Sequence, residues 1–325
     1  MKKLISILLS LCMIFGFSLT AMAEEMTITE AVNSMTDEAA VQYVKYGSYG
    51  FSAFMGSEDA MKCLDLAKYA SYTKPGAKND ATSLANMKAS MKFMKECNDL
   101  RAGEGKSPLR VSDVMMAIAQ SDTNASAFTM NHTQQYNVGE NLAWGYSDPF
   151  DGWYTYEKKL YKSGVTDFQK IGHYKNIIDD SYTVTGFAVN QYGNYGVTHG
   201  QVFSFQDTGS YTVSEYTSRF NEYYDAITDK ITYEVGIKNV EALSKGFKVR
   251  WYKAEKGSGY QVRYSTSSSM SSAKKVTVSG KDSSYKSVKN LKKGKKYYVQ
   301  VRSYRTVNGT KYYSDWSAKK SVTAK

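Results

Sequence analysis

Near residue 230 this chain of 325 residues changes both its hydrophobic period and its charge, and one core cannot serve both regimes. Downstream, "GFKVRWYK", "GYQVRYSTS", "KKVTVSG", "SYKSVKN", "KKYYVQVRSYRT" and "KYYSDW" alternate apolar and polar residues between Gly/Ser turns. A two-residue period at short, regular intervals is the rhythm of an all-β sandwich. Residues 230–325 hold 23 Lys+Arg against 5 Asp+Glu, a net of +18. Residues 24–229 hold 17 against 26, a net of −9. An acidic body therefore carries a basic β unit. Such a unit either favours an anionic polymer or membrane surface, or presents a solvated lysine-rich face.

Upstream the period is helical. Leu84, Met87, Met91 and Met94 recur at spacings of three and four, a stripe expected to run from Asp80 to the glycines at Gly103 and Gly105. Ser112 reads as an N-cap before an apolar face of Val114, Met115, Ile118 and Ala119. Residues 26–80 read as short helices, one of them capped by Ser57. The methionines are core filler. After residue 180, "YTVTGFAVNQ" and "YGVTHGQVFSF" alternate and predict a hairpin. "SEYTSRFNEYYDAIT" sets Tyr216, Phe220, Tyr223 and Ile227 on one helical face. Helices followed by a small antiparallel sheet make this half α+β.

Export is written at the start. Lys2 and Lys3, an apolar run from Leu4 to Leu19, and Ala21-Met22-Ala23 form a secretory signal over residues 1–23. The expectation is an extracellular protein, in association with a cell wall where the basic unit finds one, with no nucleic acid as partner. No second apolar stretch reaches the length of a spanning helix, so no membrane anchor is expected. Once the signal is removed, Cys63 and Cys97 remain. An even pair in an exported chain fits either a disulfide or two buried thiols.

Three histidines remain outside the signal: His132, His173 and His199. His132 precedes Glu140 of "NVGENLAWGYSDP" by eight residues, His173 sits in "GHYKNII", and Glu157 in "WYTYEKKLY" falls between them. Two imidazoles and two carboxylates suit a divalent metal such as Zn²⁺, with His as ligands and Glu as ligand or base. Spacing alone fits ordinary core or surface histidines as well. There is no H-E-x-x-H, G-x-S-x-G or phosphate-binding loop.

Two ordered sets of motifs carry resemblances. In "LKKGKKYYVQV", Leu291, Gly294 and Tyr297 resemble the tyrosine corner of a fibronectin type III domain, and Trp251 and "YYSDWS" look like that family too. Upstream, "NDLRAGEGKSPL", an Ala-rich helix, His132, "GENLAWG", Trp153 with Glu157, "GHYKNII" and a hairpin follow the order of the CAP superfamily of cysteine-rich secretory, antigen 5 and pathogenesis-related-1 proteins. The resemblance covers roughly residues 81–208. It implies an α-β-α sandwich whose central cavity, lined by His132, Glu140, Glu157 and His173, can bind a divalent metal. The family usually spaces its tryptophan and second glutamate as W-x-x-E. Here Tyr156 holds that place and Glu157 comes one residue later. One residue of α-helix is about 100° of rotation, so either Glu157 or Tyr156 faces the histidines. His199, on a strand, reads as structural.

The organisation that follows is a signal at 1–23, a helical extension at 24–80, a CAP domain at 81–212, a helical linker at 213–229 and a fibronectin type III domain at 230–325. The resemblance implies binding roles and no single reaction. The leading expectation is a cavity for a divalent metal, a small apolar ligand or a protein partner, with residues 230–325 holding an anionic cell-wall polymer or membrane surface. The alternative is a metal-dependent hydrolase, with Zn²⁺ on His132 and His173 and with Glu140 and Glu157 as its catalytic carboxylates. A third reading is a secreted spacer in which the four residues only stabilise the fold.

Overall fold

Two serines start the two long helices of the first half. In the computed structural model, which describes residues 26–65, 70–206 and 209–325, Ser83 accepts a hydrogen bond from the Asn86 N–H and Ser112 from the Met115 N–H. Each serine satisfies an amide that a helix start leaves unpaired. The expected signal at 1–23 lies outside the described residues. The described residues form two compact units: those up to Ala31 with Gln42–Tyr224, and Val32–Val41 with Asp225–Lys325. No described helix is long and apolar enough to cross a membrane.

Among the described residues four short helices come first, α1 (Ile28–Ser34), α2 (Asp37–Tyr46), α3 (Ser48–Phe54) and α4 (Glu58–Leu64), followed by α5 (Leu84–Gly103) and α6 (Asp113–Thr129). Helix α5 starts four residues after the expected Asp80, because Asp80 is committed elsewhere. Its buried carboxylate accepts from the Lys74 and Thr82 amides, the Thr82 hydroxyl and the Asn124 side chain. That knot ties the 73–82 loop to α6 and leaves Ser83 to cap the helix. Ser57 stands at the N-cap of α4 but makes no side-chain capping bond. Cys63 and Cys97 are both free thiols, so the disulfide alternative is set aside.

The sheet of the first unit has the order β1-β3-β4-β2, from β1 (Arg110–Val111), β2 (Gly139–Trp144), β3 (Val184–Asn190) and β4 (Thr198–Ser204). Strands β1 and β3 are parallel; the other pairs are antiparallel, with β3 and β4 forming the expected hairpin. Every residue of β3 and β4 is buried, because helices cover both faces. Successive side chains of a strand point to opposite faces. Phe187 stacks on Phe93 of α5 at 4.8 Å between ring centroids. At Gly186, on the other face, an added Cβ would lie 2.1 Å from the Met115 carbonyl oxygen of α6. Gly200 likewise admits the Thr123 hydroxyl of α6. The result is helix, sheet, helix.

Beyond the hairpin, Thr212 and Glu215 form a reciprocal capping box at the start of α9 (Val213–Ile231). Phe220 and Tyr223 of α9 pack on Phe51 with centroids 5.4 and 5.0 Å away.

The second unit contains two antiparallel sheets. One is β5 (Ile237–Leu243), β6 (Gly246–Trp251) and β9 (Tyr285–Val288). The other has the order β11-β10-β7-β8, from β7 (Gly259–Ser265), β8 (Lys274–Ser279), β10 (Lys296–Val307) and β11 (Thr310–Tyr313), with β12 (Lys320–Thr323) also paired to β10. Trp251, Tyr260, Val262, Val299 and Val301 fill the core between them. The Tyr297 hydroxyl accepts the Lys292 N–H at 3.2 Å across the turn at Gly294, whose φ is +74°. That is the corner expected from L-x-x-G-x-x-Y.

A side chain at Gly186 must push α6 off the sheet. Gly186→Ala is expected to destabilise the protein by about 2–3 kcal/mol through overpacking against backbone. Urea unfolding followed by far-UV circular dichroism checks it, and an unchanged midpoint would contradict this packing.

Candidate functional site

The edge strand β2 carries the site. Its alternation sends Glu140 and Leu142 toward α6 and Asn141 toward the opposite face. The Leu142 side chain meets Gly200 beside Thr123 of α6, which fixes that sense. On the α6 side, His132 Nδ1 lies 2.5 Å from Glu140 Oε2. The Glu140 side chain is only 9% exposed, whereas the His132 ring is 48% exposed. The carboxylate is therefore a buried mount and the imidazole its accessible end. Glu140 raises the His132 pKa, first through the hydrogen bond, against a smaller loss from burial.

The second pair sits on two further helices, α7 (Glu157–Lys162) and α8 (Phe168–Ile178). His173 Nδ1 lies 2.5 Å from Glu157 Oε1, and Glu157 Oε2 accepts the Tyr174 N–H at 2.9 Å. Tyr156 is 61% exposed, so Glu157 is the residue that faces the histidine. The cause lies just upstream: Asp151–Tyr156 is a π-helical turn, and the Glu157 N–H reaches back five residues to the Gly152 carbonyl. A π turn accommodates one extra residue within a helix. The longer spacing between Trp153 and Glu157 is absorbed there.

Trp153 anchors this arrangement. Its indole N–H donates to the Leu142 carbonyl at 3.0 Å, and its ring stacks on His173 at 6.0 Å and 25°. Asn141 and Asn176 complete the mount. Asn141 donates to the His173 carbonyl at 3.1 Å and accepts from Asn176 at 2.9 Å. Helix α8 is thus pinned to β2 by side-chain amides.

The four expected residues form two His–Glu pairs, His132 with Glu140 and His173 with Glu157. Among the described residues, no group of three or more His, Cys, Asp and Glu side chains is gathered that could hold a metal ion. In kind, the donors suit a divalent metal: two borderline imidazoles, each oriented through Nδ1 by a carboxylate. In number, this chain offers two.

Asp122 on α6 was not singled out from the sequence, where it sits in an ordinary polar run of "AQSDTNAS". It is 2% exposed, and its Oδ1 has no hydrogen-bond partner among the described residues. Glu140 Oε1 is buried and without a partner in the same way. Burial, then the Glu140 charge, push the Asp122 carboxyl up to about 7, while Thr133 and His132 pull the other way. Its only sequence signal is a carboxylate one helical turn after Ile118, in line with the apolar face of a packed helix. Asn141 was visible as an amide in mid-strand, where asparagine is disfavoured.

His199 stays structural. It is 2% exposed, lies edge-on to Phe93 at 5.1 Å, and burial lowers its pKa to about 4, so it is neutral.

Residues 94–207 match the model of the CAP, cysteine-rich secretory protein family. No curated protein matches the chain. Solved structures that are similar in part include the fn3 domain of human contactin 1, at 17% identity over 29% of this chain and 82% of that one, with a TM-score of 0.24. A myokine structure is 15% identical over 29% of this chain and 98% of that one, TM-score 0.24. A β-1,2-glucanase from Parabacteroides distasonis is 12% identical over 42% of this chain and 19% of that one, TM-score 0.25.

The raised Asp122 pKa makes stability depend on pH. The folded state holds a proton on Asp122 that the unfolded state has already lost between the ordinary value of 3.8 and about 7. Its contribution therefore falls as pH rises through that window. Asp122→Asn is expected to flatten this slope and to gain stability over the parent at pH 8 relative to pH 4, by an amount on the order of 2–4 kcal/mol. Denaturation at the two pH values measures it, and parallel profiles would refute the assignment.

Proposed function

We propose that the chain is an exported binding protein whose first unit presents His132 and His173 to a divalent metal or small ligand, and whose basic second unit retains it at an anionic cell surface. The observation that carries the first part is the common mounting of the two rings. Each Nδ1 is tied at 2.5 Å to a mostly buried carboxylate, and neither Nε2 makes a hydrogen bond among the described residues. A carboxylate behind a histidine fixes the tautomer and raises the basicity of the opposite nitrogen. Such rings are prepared to donate outward. The CAP match over residues 94–207 is in keeping with a binding role. The net charge of +18 over residues 230–325 supports the second part.

The hydrolase reading draws on one further observation, the buried and unpartnered Glu140 Oε1 beside Asp122. A divalent ion on His132 and His173 would supply Lewis acidity there. The residues themselves supply an oxygen able to accept a proton and a neighbouring carboxyl whose pKa has moved toward neutrality.

Calorimetric titration with Zn²⁺ tests the metal reading. The parent protein is expected to take up the ion, Glu157→Gln to bind it about 10–100-fold more weakly, and the His132→Ala/His173→Ala double variant not at all. No uptake by the parent protein overturns it. For retention, the full chain is expected to bind purified cell walls at low ionic strength and to be released as salt shortens the screening length from about 10 Å at 0.1 M to about 3 Å at 1 M. A chain ending at residue 229 is expected to stay in solution. Equal binding by the shortened chain, or binding indifferent to salt, rules retention out.

A further inference from the structure

On β7 and β10 two arginines and two glutamines form a square. The register sets Arg263 opposite Gln300 and Arg302 opposite Gln261. Each guanidinium closes a fork on the amide oxygen across from it. Arg263 donates from Nε and Nη2 to Gln300 Oε1 at 3.0 and 2.7 Å. Arg302 donates from Nε and Nη2 to Gln261 Oε1 at 3.2 and 2.8 Å. Both guanidinium carbons lie over the Trp316 ring, at 4.3 and 4.2 Å from its centroid, and Arg302 also lies 3.8 Å from that of Tyr313. The aromatic faces and neutral amides hold both cations flat and leave their charge intact. Among the described residues neither arginine forms an ion pair, and neither Nη1 makes a hydrogen bond. Asp315 contributes a field at Arg302 without pairing to it.

This is an unusual use of arginine in a unit so rich in lysine. Most of the unit's positive charge is carried by flexible ammonium groups, which attract any polyanion. Arg263 and Arg302 are instead planar donors whose rotamers are already paid out in stacking and amide contacts, so little entropy remains to be lost when an anion arrives. A stacked guanidinium with a free edge matches the tetrahedral oxygens of a phosphate group. Two of them against one indole offer two such contacts to a chain with repeating charges. All four residues of the ladder, Tyr313, Arg302, Trp316 and Arg263, are only partly buried, so that edge is open to solvent.

We propose that this Arg–Trp–Arg ladder is a recognition site for a phosphodiester-linked anionic polymer of the cell surface. The inference rests on the retention reading above and names the chemistry that the second unit selects. The test uses the full chain and a synthetic glycerol-phosphate oligomer, with polyglutamate of equal charge as the comparison. The Arg263→Lys/Arg302→Lys variant keeps the net charge and removes the forks. It is expected to lose about tenfold in affinity for the phosphate oligomer and to bind polyglutamate as before. A Lys286→Gln/Lys289→Gln variant, altered in β9 of the other sheet and just beyond its end, is expected to weaken both polymers alike.

Unchanged phosphate affinity in the double-lysine variant overturns the site and leaves the retention reading standing. Equal losses for both polymers overturn the phosphate preference. No binding of either polymer by the parent chain overturns the site together with retention. Tighter binding to vesicles of anionic phospholipid than to the oligomer assigns the ladder to a membrane and overturns the polymer. Modification of the parent protein by phenylglyoxal, read by mass spectrometry, supplies a measurement that needs no variant. The oligomer is expected to protect Arg263 and Arg302, and undiminished modification of both refutes the proposal.

Discussion

Helix α6 lies so close to the sheet that its Met115 carbonyl and Thr123 hydroxyl fill the space of absent side chains at Gly186 and Gly200. Interiors pack at crystal-like density, so this approach distance is set by backbone and not by adjustable side chains. It determines how deep Asp122 sits beside Glu140. It also brings the Ser126 carbonyl within 3.1 Å of the Trp144 indole, which ties the end of α6 to the end of β2. With α6 and β2 locked together, the loop that returns from one to the other has to carry His132 past Glu140. Trp153 performs the corresponding service for His173, using the Leu142 carbonyl of that same strand. Both histidines are therefore referenced to one edge strand.

Electrostatics and solvent exposure divide each pair in the same way. The carboxylate is largely buried and the imidazole more open, at 9% against 48% for the first pair and 10% against 34% for the second. The deep member orients and the outer member is available. A surface ion pair would be weak and mobile. Burying only the carboxylate gives direction without sealing the ring away. The second unit follows a related logic with different parts, since the guanidiniums of Arg263 and Arg302 are held by neutral amides and ring faces that leave their charge unopposed.

Much of this was legible in the residues. The helical stripe at Leu84, Met87, Met91 and Met94, the cap at Ser112, the hairpin after residue 180 and the tyrosine corner at Tyr297 are local patterns, and local physics produces them. The start of α5 is not legible in sequence because Asp80, a good helix-start residue, is drawn into a buried network with Thr82 and Asn124, a contact across 44 positions that no periodicity reveals. Asp122 is hidden in sequence for the same reason. Its character comes from Glu140 on another element and from burial under the sheet. The order of motifs singles out His132, Glu140, Glu157 and His173, but which carboxylate meets which imidazole depends on strand register and helix winding. The aim of Glu157 could not be read from spacing, because spacing does not say how the helix is wound.

The π turn at Asp151–Tyr156 has a consequence for how such motifs tolerate change in length. A helix that stores a residue in a wider turn keeps its flanks in phase, so the distance in sequence between Trp153 and Glu157 is elastic while their distance in space is not. Losing one residue from this turn would let it rewind as an α-helix, with tryptophan, glutamate and histidine meeting as before. Shorter and longer spacings are then two windings of one device. The quantity held constant is the contact of an indole and a carboxylate with a single imidazole, and a fixed pattern of letters is only its most common shadow.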